Sequence, residues 1–264
     1  MKSDINSIST ENSIELPRSL PDVISQLENN FGLLPNPDKL KVWNFMHKLI
    51  STDASVIEQI YDIDLPLIKY IVIHIIGSEF EYIPNKPQAW DDLCKIITDE
   101  SDYELLLGAV IALSEAFKHI PDKSQAWKEF YKLSEIKNSR VTLFLTGMYG
   151  SVVEYIPNKY EVWKDLYQLT VSENPAIKYG ISESLGKTFA YLSEEFKIRA
   201  WDELHCLSIS DNCNSKFIAA NSIHLAYHHI PEELKTKSFD DLSRLAGDDD
   251  FEIRSFAVYS IGNI

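Results

Sequence analysis

Histidine and cysteine are the residues of this 264-residue chain best suited to bind a metal or to act as nucleophiles. His224 and His228 stand four residues apart, a spacing that places two metal ligands on one face of a helix. No carboxylate or cysteine stands at a matching helical spacing, so partly buried or solvated histidines are the favoured interpretation. Cys206 adjoins His205, but adjacent helical residues do not face each other. Since P-loop and GxSxG motifs are also missing, we expect no catalytic residues, no metal and no cofactor.

The charge balance disfavours nucleic acid as a partner. The chain has 40 acidic and 25 basic residues, which gives a net charge of −15, and this surface repels phosphate backbones. Acidity of this kind serves solubility or complements a basic partner protein, and both interpretations stay open. Three further features favour a cytoplasmic protein. The three cysteines form no CxxC pair, the polar N-terminus shows no signal peptide, and the apolar run over 65–77 is too short for a membrane span.

Tryptophans mark an internal repeat. The five in the chain are spaced 47, 37, 36 and 38 residues apart, and Phe239 occupies the next position 38 residues later. Each heads an amphipathic helical segment, and a proline stands six residues before each of the first four. One buried indole per repeat predicts a continuous packed core, although a ladder for stacking ligands is the alternative. The tryptophans are Trp43, Trp90, Trp127, Trp163 and Trp201.

A second helix is predicted in each repeat by a short acidic or amide residue placed to cap its first turn. Beyond the cap, each segment is mostly apolar, as expected of a helix packed between its neighbours. Asp64 in the first repeat stands one residue out of position, after an insertion over 51–62. The predicted caps are Asp102, Asn138, Asn174, Asn212 and Asp250.

The second-helix pattern resembles HEAT repeats. An aliphatic residue followed by a cation stands at Ile177-Lys178, and Leu-Gly follows at Leu185-Gly186; equivalent steps occur at 68–69, 76–77, 253–254 and 261–262. The resemblance implies an all-α fold, an α-solenoid of about six two-helix repeats. It also implies a ladder between each cation and an acid in a neighbouring loop, incomplete here because Leu106 and Thr142 replace the cation.

The predicted organisation follows from these repeats. We expect a disordered tail over 1–16, a short capping helix over 17–36 and the solenoid over 37–264, as a monomer or part of a longer array. The repeats are predicted at 37–83, 84–120, 121–156, 157–192, 193–230 and 231–264.

Families built on HEAT-like repeats include enzymes. The paired His-Glu iron motif of deoxyhypusine hydroxylases is missing, and the basic cleft of HEAT-like DNA glycosylases conflicts with the net charge. A bilin-lyase-type cofactor-binding protein remains the alternative to a non-enzymatic scaffold that binds another protein. A structural spacer without a groove is the third hypothesis.

The resemblance places a partner-binding surface on the second helices, along the concave face. Two columns face outward there, and they would hold a basic or amphipathic segment. Tight curvature that buries the first column between repeats is the alternative. The predicted site residues are Tyr70, His74, Leu107, Ile111, Tyr179, Glu183, Phe217, Asn221 and Tyr259; Leu143, Gly147 and Ser255 complete the columns.

Overall fold

The computed structural model describes residues 27, 30–51, 65–99, 102–135, 139–172 and 174–264. Within these ranges the chain is all-α, with twelve α-helices and no strand. The predicted tail over 1–16, most of the predicted capping helix over 17–36 and the Asp64 and Asn138 caps lie outside the described residues. None of the described helices combines the length and apolar character needed to cross a bilayer.

The twelve helices form six consecutive pairs, one for each predicted repeat, and the first helix begins one residue before the predicted start of the first repeat. Short 3-10 turns follow several helices, at 80–82, 133–135, 153–155, 169–171 and 227–229. The helices are α1 (Asn36–Ser51), α2 (Leu65–Ser78), α3 (Lys86–Asp99), α4 (Tyr103–Phe117), α5 (Lys123–Lys132), α6 (Ser139–Val152), α7 (Lys159–Gln168), α8 (Pro175–Phe189), α9 (Glu194–Ser208), α10 (Cys213–Ala226), α11 (Glu232–Leu245) and α12 (Phe251–Ile261).

The chain divides into two compact units, residues 1–122 and 123–264. In the first unit α2 packs against α4 and α1 against α3. In the second unit the even-numbered helices stack in order, α6 on α8, α8 on α10 and α10 on α12. Each even-numbered helix therefore buries its apolar residues against its neighbours, as stacked helical hairpins require.

Capping residues begin three of the even-numbered helices as predicted. The Asp102 side chain accepts hydrogen bonds from the amides of Glu104 and Leu105, at 2.9 and 3.1 Å. Asp250 does the same at the start of α12, and Asn212 accepts one bond at the start of α10. These side chains satisfy amides that have no partner within the helix.

All five tryptophans are buried, with at most 4% of the residue exposed. Three of the indole N–H groups donate to the following odd-numbered helix, which ties successive repeats together. Trp127 donates to Asp165 at 2.7 Å, Trp163 to Glu203 at 2.5 Å, and Trp201 to Ser238 at 2.6 Å. Trp127, Trp163 and Trp201 thus belong to the repeat interfaces. Because all five indoles are buried, the ligand-stacking alternative is wrong.

A column of acidic residues in the sequence accounts for two of these three contacts and was not among the predicted features. Five repeats carry Asp or Glu two residues after the aromatic position. Two of these acids meet a histidine of the preceding repeat: His47 Nδ1 lies 2.6 Å from Asp92, and His205 Nδ1 lies 2.8 Å from Asp241. His205 is therefore engaged in a repeat interface. The column comprises Asp92, Glu129, Asp165, Glu203 and Asp241.

A lysine stands four residues before the aromatic position in every repeat, a second signal that went unused. Lys159 Nζ donates to the carbonyls of Glu154 and Ile156, at 2.7 and 2.5 Å, and Lys86 donates to the carbonyls of Glu81 and Ile83. A cation in the first turn of a helix is unfavourable on its own. Its position is explained by the carbonyls it caps at the end of the preceding element.

Candidate functional site on the even-numbered helices

The first predicted column is partly exposed. Tyr70 on α2 is 42% exposed and Tyr179 on α8 is 47% exposed. Leu107 and Leu143 are half-buried, and Ser255 is exposed. Burial of this column between repeats, the alternative interpretation, therefore applies to some of its members and not to the tyrosines.

The second column lies one helical turn later and is also accessible. Tyr259 on α12 is 57% exposed and His74 on α2 is exposed, while Ile111, Glu183 and Asn221 are half-buried. In the first unit the accessible column members are mainly aromatic or aliphatic, whereas in the second unit Tyr179 and Tyr259 alternate in the columns with polar residues such as Glu183 and Asn221.

Phe217 is the exception, because it is only 1% exposed, and the Lys178 ammonium lies over its ring at 4.9 Å from the centroid. The Tyr179 ring packs edge-on against it at 5.0 Å between centroids, and the Phe256 ring does so at 5.4 Å. Phe217 lies between these two rings from the helices on either side. Our expectation that this side chain is exposed is wrong, because repeat register says nothing about neighbouring side chains that lean over it.

In the first unit, Tyr70 lies across the boundary between α2 and α4. A Cβ placed on Gly108 would lie 3.3 Å from the Tyr70 ring, so the ring packs directly on the α4 backbone. Leu67, which is 52% exposed, extends the same apolar surface on α2. Since Gly108 has no side chain, the Tyr70 ring can reach α4 while one side of it remains exposed.

In the second unit, α8 and α12 meet across α10. Lys178 Nζ lies 2.6 Å from Glu252 Oε2, and Tyr179 donates its hydroxyl to Glu252 Oε1. Packed helices are about 8–10 Å apart, so a flat arrangement would separate α8 from α12 by about 16–20 Å. The stack of three helices is therefore curved enough for side chains in the first turns of α8 and α12 to meet.

These contacts shift the pKa values of both acidic groups. The hydrogen bond from Lys178, followed by the one from Tyr179, lowers the pKa of Glu252. The hydrogen bond between Tyr179 and Glu252 raises the pKa of Tyr179, and burial adds to the effect. The carboxylate is therefore the favoured form of Glu252, and the neutral hydroxyl is the favoured form of Tyr179.

The ladder between cations and loop acids that the resemblance implies is present only in part. Lys216 pairs with Asp248 in the loop before α12 at 2.8 Å, and Arg254 donates to the Asp248 carbonyl at 2.6 Å. The position equivalent to Asp248 in the preceding repeat is Ser210, which offers Lys178 no charge. Lys178 instead reaches Glu252, two repeats further along the chain.

Small residues let the even-numbered helices approach closely. Ser184 donates to the Thr146 carbonyl at 2.5 Å and accepts from the Gly150 amide at 2.8 Å, so its hydroxyl lies between α6 and α8. Ser222 repeats the contact by donating to the Ser182 carbonyl of α8. Serine recurs every 38 residues, at 184, 222 and 260, a signal that our sequence analysis did not use.

In the first unit, an open cleft of about 480 Å³ lies between the start of α1 and the segment before α3. Leu40, Tyr82 and two lysines line it, and Lys39 Nζ lies 5.0 Å above the Tyr82 ring. Lys86 is held by the carbonyls that it caps. The residues that line this cleft are not members of the predicted columns.

In the part of the chain that the structure describes, no group of three or more His, Cys, Asp or Glu side chains is placed to hold a metal ion. His224, one of the two histidines spaced for metal binding, packs 5.6 Å from the Tyr259 ring. Burial lowers the pKa of His224, so its neutral form is favoured. The sequence matches no known protein family and no curated protein.

Proposed function

We propose that this chain is a cytoplasmic protein-interaction scaffold built as an α-solenoid of HEAT-type repeats. In this proposal the even-numbered helices line the concave face and bind an amphipathic segment of a partner protein. The supporting observation is the exposure of three tyrosines, Tyr70, Tyr179 and Tyr259, at positions that the repeat predicts to face outward. Tyrosine is enriched at protein interfaces because it has a large apolar ring and a polar end.

The distribution of charge supports an amphipathic partner segment. The even-numbered helices contain six cations and four carboxylates, so the acidic excess of the chain comes from outside them. The adjoining loops are acidic, as at 98–102 and 247–250, and would speed the capture of a basic segment at low salt. Apolar contacts on the face and acidic groups at its edge suit a segment with an apolar side and basic residues.

The HEAT assignment rests on several repeat-specific features. The described helices form six consecutive pairs, and three of the even-numbered helices begin with an acidic or amide cap. Lys216 also forms the contact between a cation and a loop acid. Free cysteines support a reducing compartment, since Cys206 and Cys213 are exposed and unbonded to each other.

The test compares two double variants by affinity capture and quantitative mass spectrometry. Tyr179→Ala with Glu183→Lys alters the proposed face, and Phe239→Ala with Glu233→Lys makes the same changes on α11. Phe239 is 41% exposed, close to Tyr179, so the two variants lose similar side chains. The proposal expects the first variant alone to lose a specific partner. Equal capture by both variants would remove this face as the binding site.

A further inference from the structure

The ammonium group of Lys178 is enclosed by two aromatic rings and a carboxylate. Its Nζ lies 4.9 Å from the centroid of the Phe217 ring, 5.1 Å from that of the Tyr179 ring, and 2.6 Å from Glu252 Oε2. Only 14% of the Lys178 side chain is exposed. We call the enclosing residues, Tyr179, Phe217 and Glu252, the ammonium cage.

Contacts that do not involve Lys178 hold the cage in place. Tyr179 donates its hydroxyl to Glu252, which joins two of the walls directly. Phe217 is fixed between the Tyr179 and Phe256 rings. The main chain also positions Glu252, which lies in the first turn of α12 after the Asp250 cap. We expect the walls to persist when Lys178 is removed, because each has another support.

The cage departs from the repeat pattern. The cations equivalent to Lys178 in the next two repeats, Lys216 and Arg254, interact with the loop before α12. Ser210 replaces the loop acid that Lys178 would meet. Lys178 therefore fills a site assembled from three separate helices on the proposed binding face.

We propose that the ammonium cage recognises a lysine side chain of the partner segment, and that Lys178 occupies it as an internal ligand until the partner displaces it. A carboxylate beside two aromatic faces favours an ammonium ion over a neutral group of the same shape. This inference rests on the proposed function, because the cage lies on the same face. It specifies an amphipathic segment that carries a lysine next to its apolar side.

The direct experiment empties the cage and offers it a small ligand. Lys178→Ala is titrated with n-butylammonium chloride and, separately, with n-butanol, while the amide signals of residues 179, 217 and 252 are followed by NMR. We expect saturable binding of n-butylammonium that is about tenfold tighter than that of n-butanol, as a desolvated cation–π site with a carboxylate provides. Wild type is expected to show no saturation over the same range, because Lys178 fills the cage.

Lys187→Ala is the matched control. Lys187 also pairs with a carboxylate at 2.6 Å, on the same helix, but its partner Glu183 is a half-exposed acid on the surface. We expect no saturable binding of n-butylammonium to this variant. Equal binding to the two variants, or equal binding of n-butanol and n-butylammonium to Lys178→Ala, would overturn the proposal.

A second measurement keeps the test valid if Lys178→Ala loses helical content by circular dichroism. In that case n-butylammonium should restore helical content and raise the melting temperature of Lys178→Ala more than n-butanol does. An equal shift with both compounds would count against the cage. If the probe binds as expected and partner capture is insensitive to Tyr179→Ala with Glu183→Lys, the cage stands and its role in partner recognition is rejected.

Discussion

The indole N–H of Trp127 donates to Asp165 across 2.7 Å, and these two residues belong to successive repeats 38 positions apart. The same tryptophan is 3% exposed and packs edge-on against Tyr149 at 5.3 Å between centroids. One side chain thus fills the core of its own repeat and binds the next. Burial raises the pKa of Asp165, and the hydrogen bond from Trp127 opposes part of this shift.

Removing Trp127 should strongly destabilise the second unit. Trp127→Ala is expected to lower the free energy of unfolding by about 3–5 kcal/mol, because a large buried side chain leaves a cavity that the repeats cannot close. Urea denaturation followed by circular dichroism gives the value. Phe239→Ala is the control, since Phe239 holds the equivalent position but is 41% exposed. Similar losses for the two variants would contradict a tryptophan-centred core.

Two facing glycines should respond to alanine in opposite directions. A Cβ on Gly180 would lie 2.6 Å from the Gly147 amide nitrogen, whereas a Cβ on Gly147 would have only a 3.9 Å contact. Gly180→Ala should therefore destabilise by about 1–3 kcal/mol through overpacking against backbone. Gly147→Ala should stabilise by about 0.5–1 kcal/mol, because alanine favours the helix. Thermal melts of the two variants test this, and stabilisation by both would show that α6 and α8 are further apart.

The lysine cap should contribute measurably to stability. Lys159→Met keeps an apolar side chain of similar length but removes both hydrogen bonds to the carbonyls of Glu154 and Ile156. We expect a loss of about 1–2 kcal/mol in the free energy of unfolding. Lys128→Met is the control, because Lys128 is exposed and should change stability by less than about 0.5 kcal/mol. Indistinguishable variants would mean that the cap has no energetic role.

The contact between α8 and α12 should make stability depend on pH. The folded state lowers the pKa of Glu252, so its contribution is present above the unfolded value of about 4.3 and is lost as pH falls through the folded pKa. At pH 7, Glu252→Gln should cost about 1 kcal/mol or less, because Glu252 is 42% exposed and partly screened.

Stability curves from pH 7 to pH 3 test this expectation, with Glu183→Gln on the surface of α8 as the control. Wild type and Glu252→Gln should converge at the acidic end, where the wild-type carboxyl is protonated. Part of the acid sensitivity should remain in Glu252→Gln, because Lys216 also lowers the pKa of Asp248. A constant difference at every pH would show that the charge of Glu252 contributes nothing.

The sequence predicts the helices well because the same kinds of residue recur at equivalent positions in successive repeats. Tryptophan spacing and the caps at Asp102, Asn212 and Asp250 locate both helices of a repeat from local chemistry. The exposed face was harder to predict. Phe217 and Tyr179 occupy equivalent positions, yet one is buried and the other exposed. Their difference depends on the rings of Tyr179 and Phe256, which cover Phe217 from the helices on either side of it.

Site-specific photo-crosslinking tests the proposed binding face most directly. Benzoylphenylalanine would replace, one at a time, Tyr70, Tyr179 and Tyr259 on the even-numbered helices, with Tyr191 and Phe239 as controls. All five residues are between 41% and 57% exposed, so surface access is similar. The account predicts crosslinks to one partner from the even-numbered helices and none from the two controls. Equal crosslinking at the control positions, with the same partner, would contradict it.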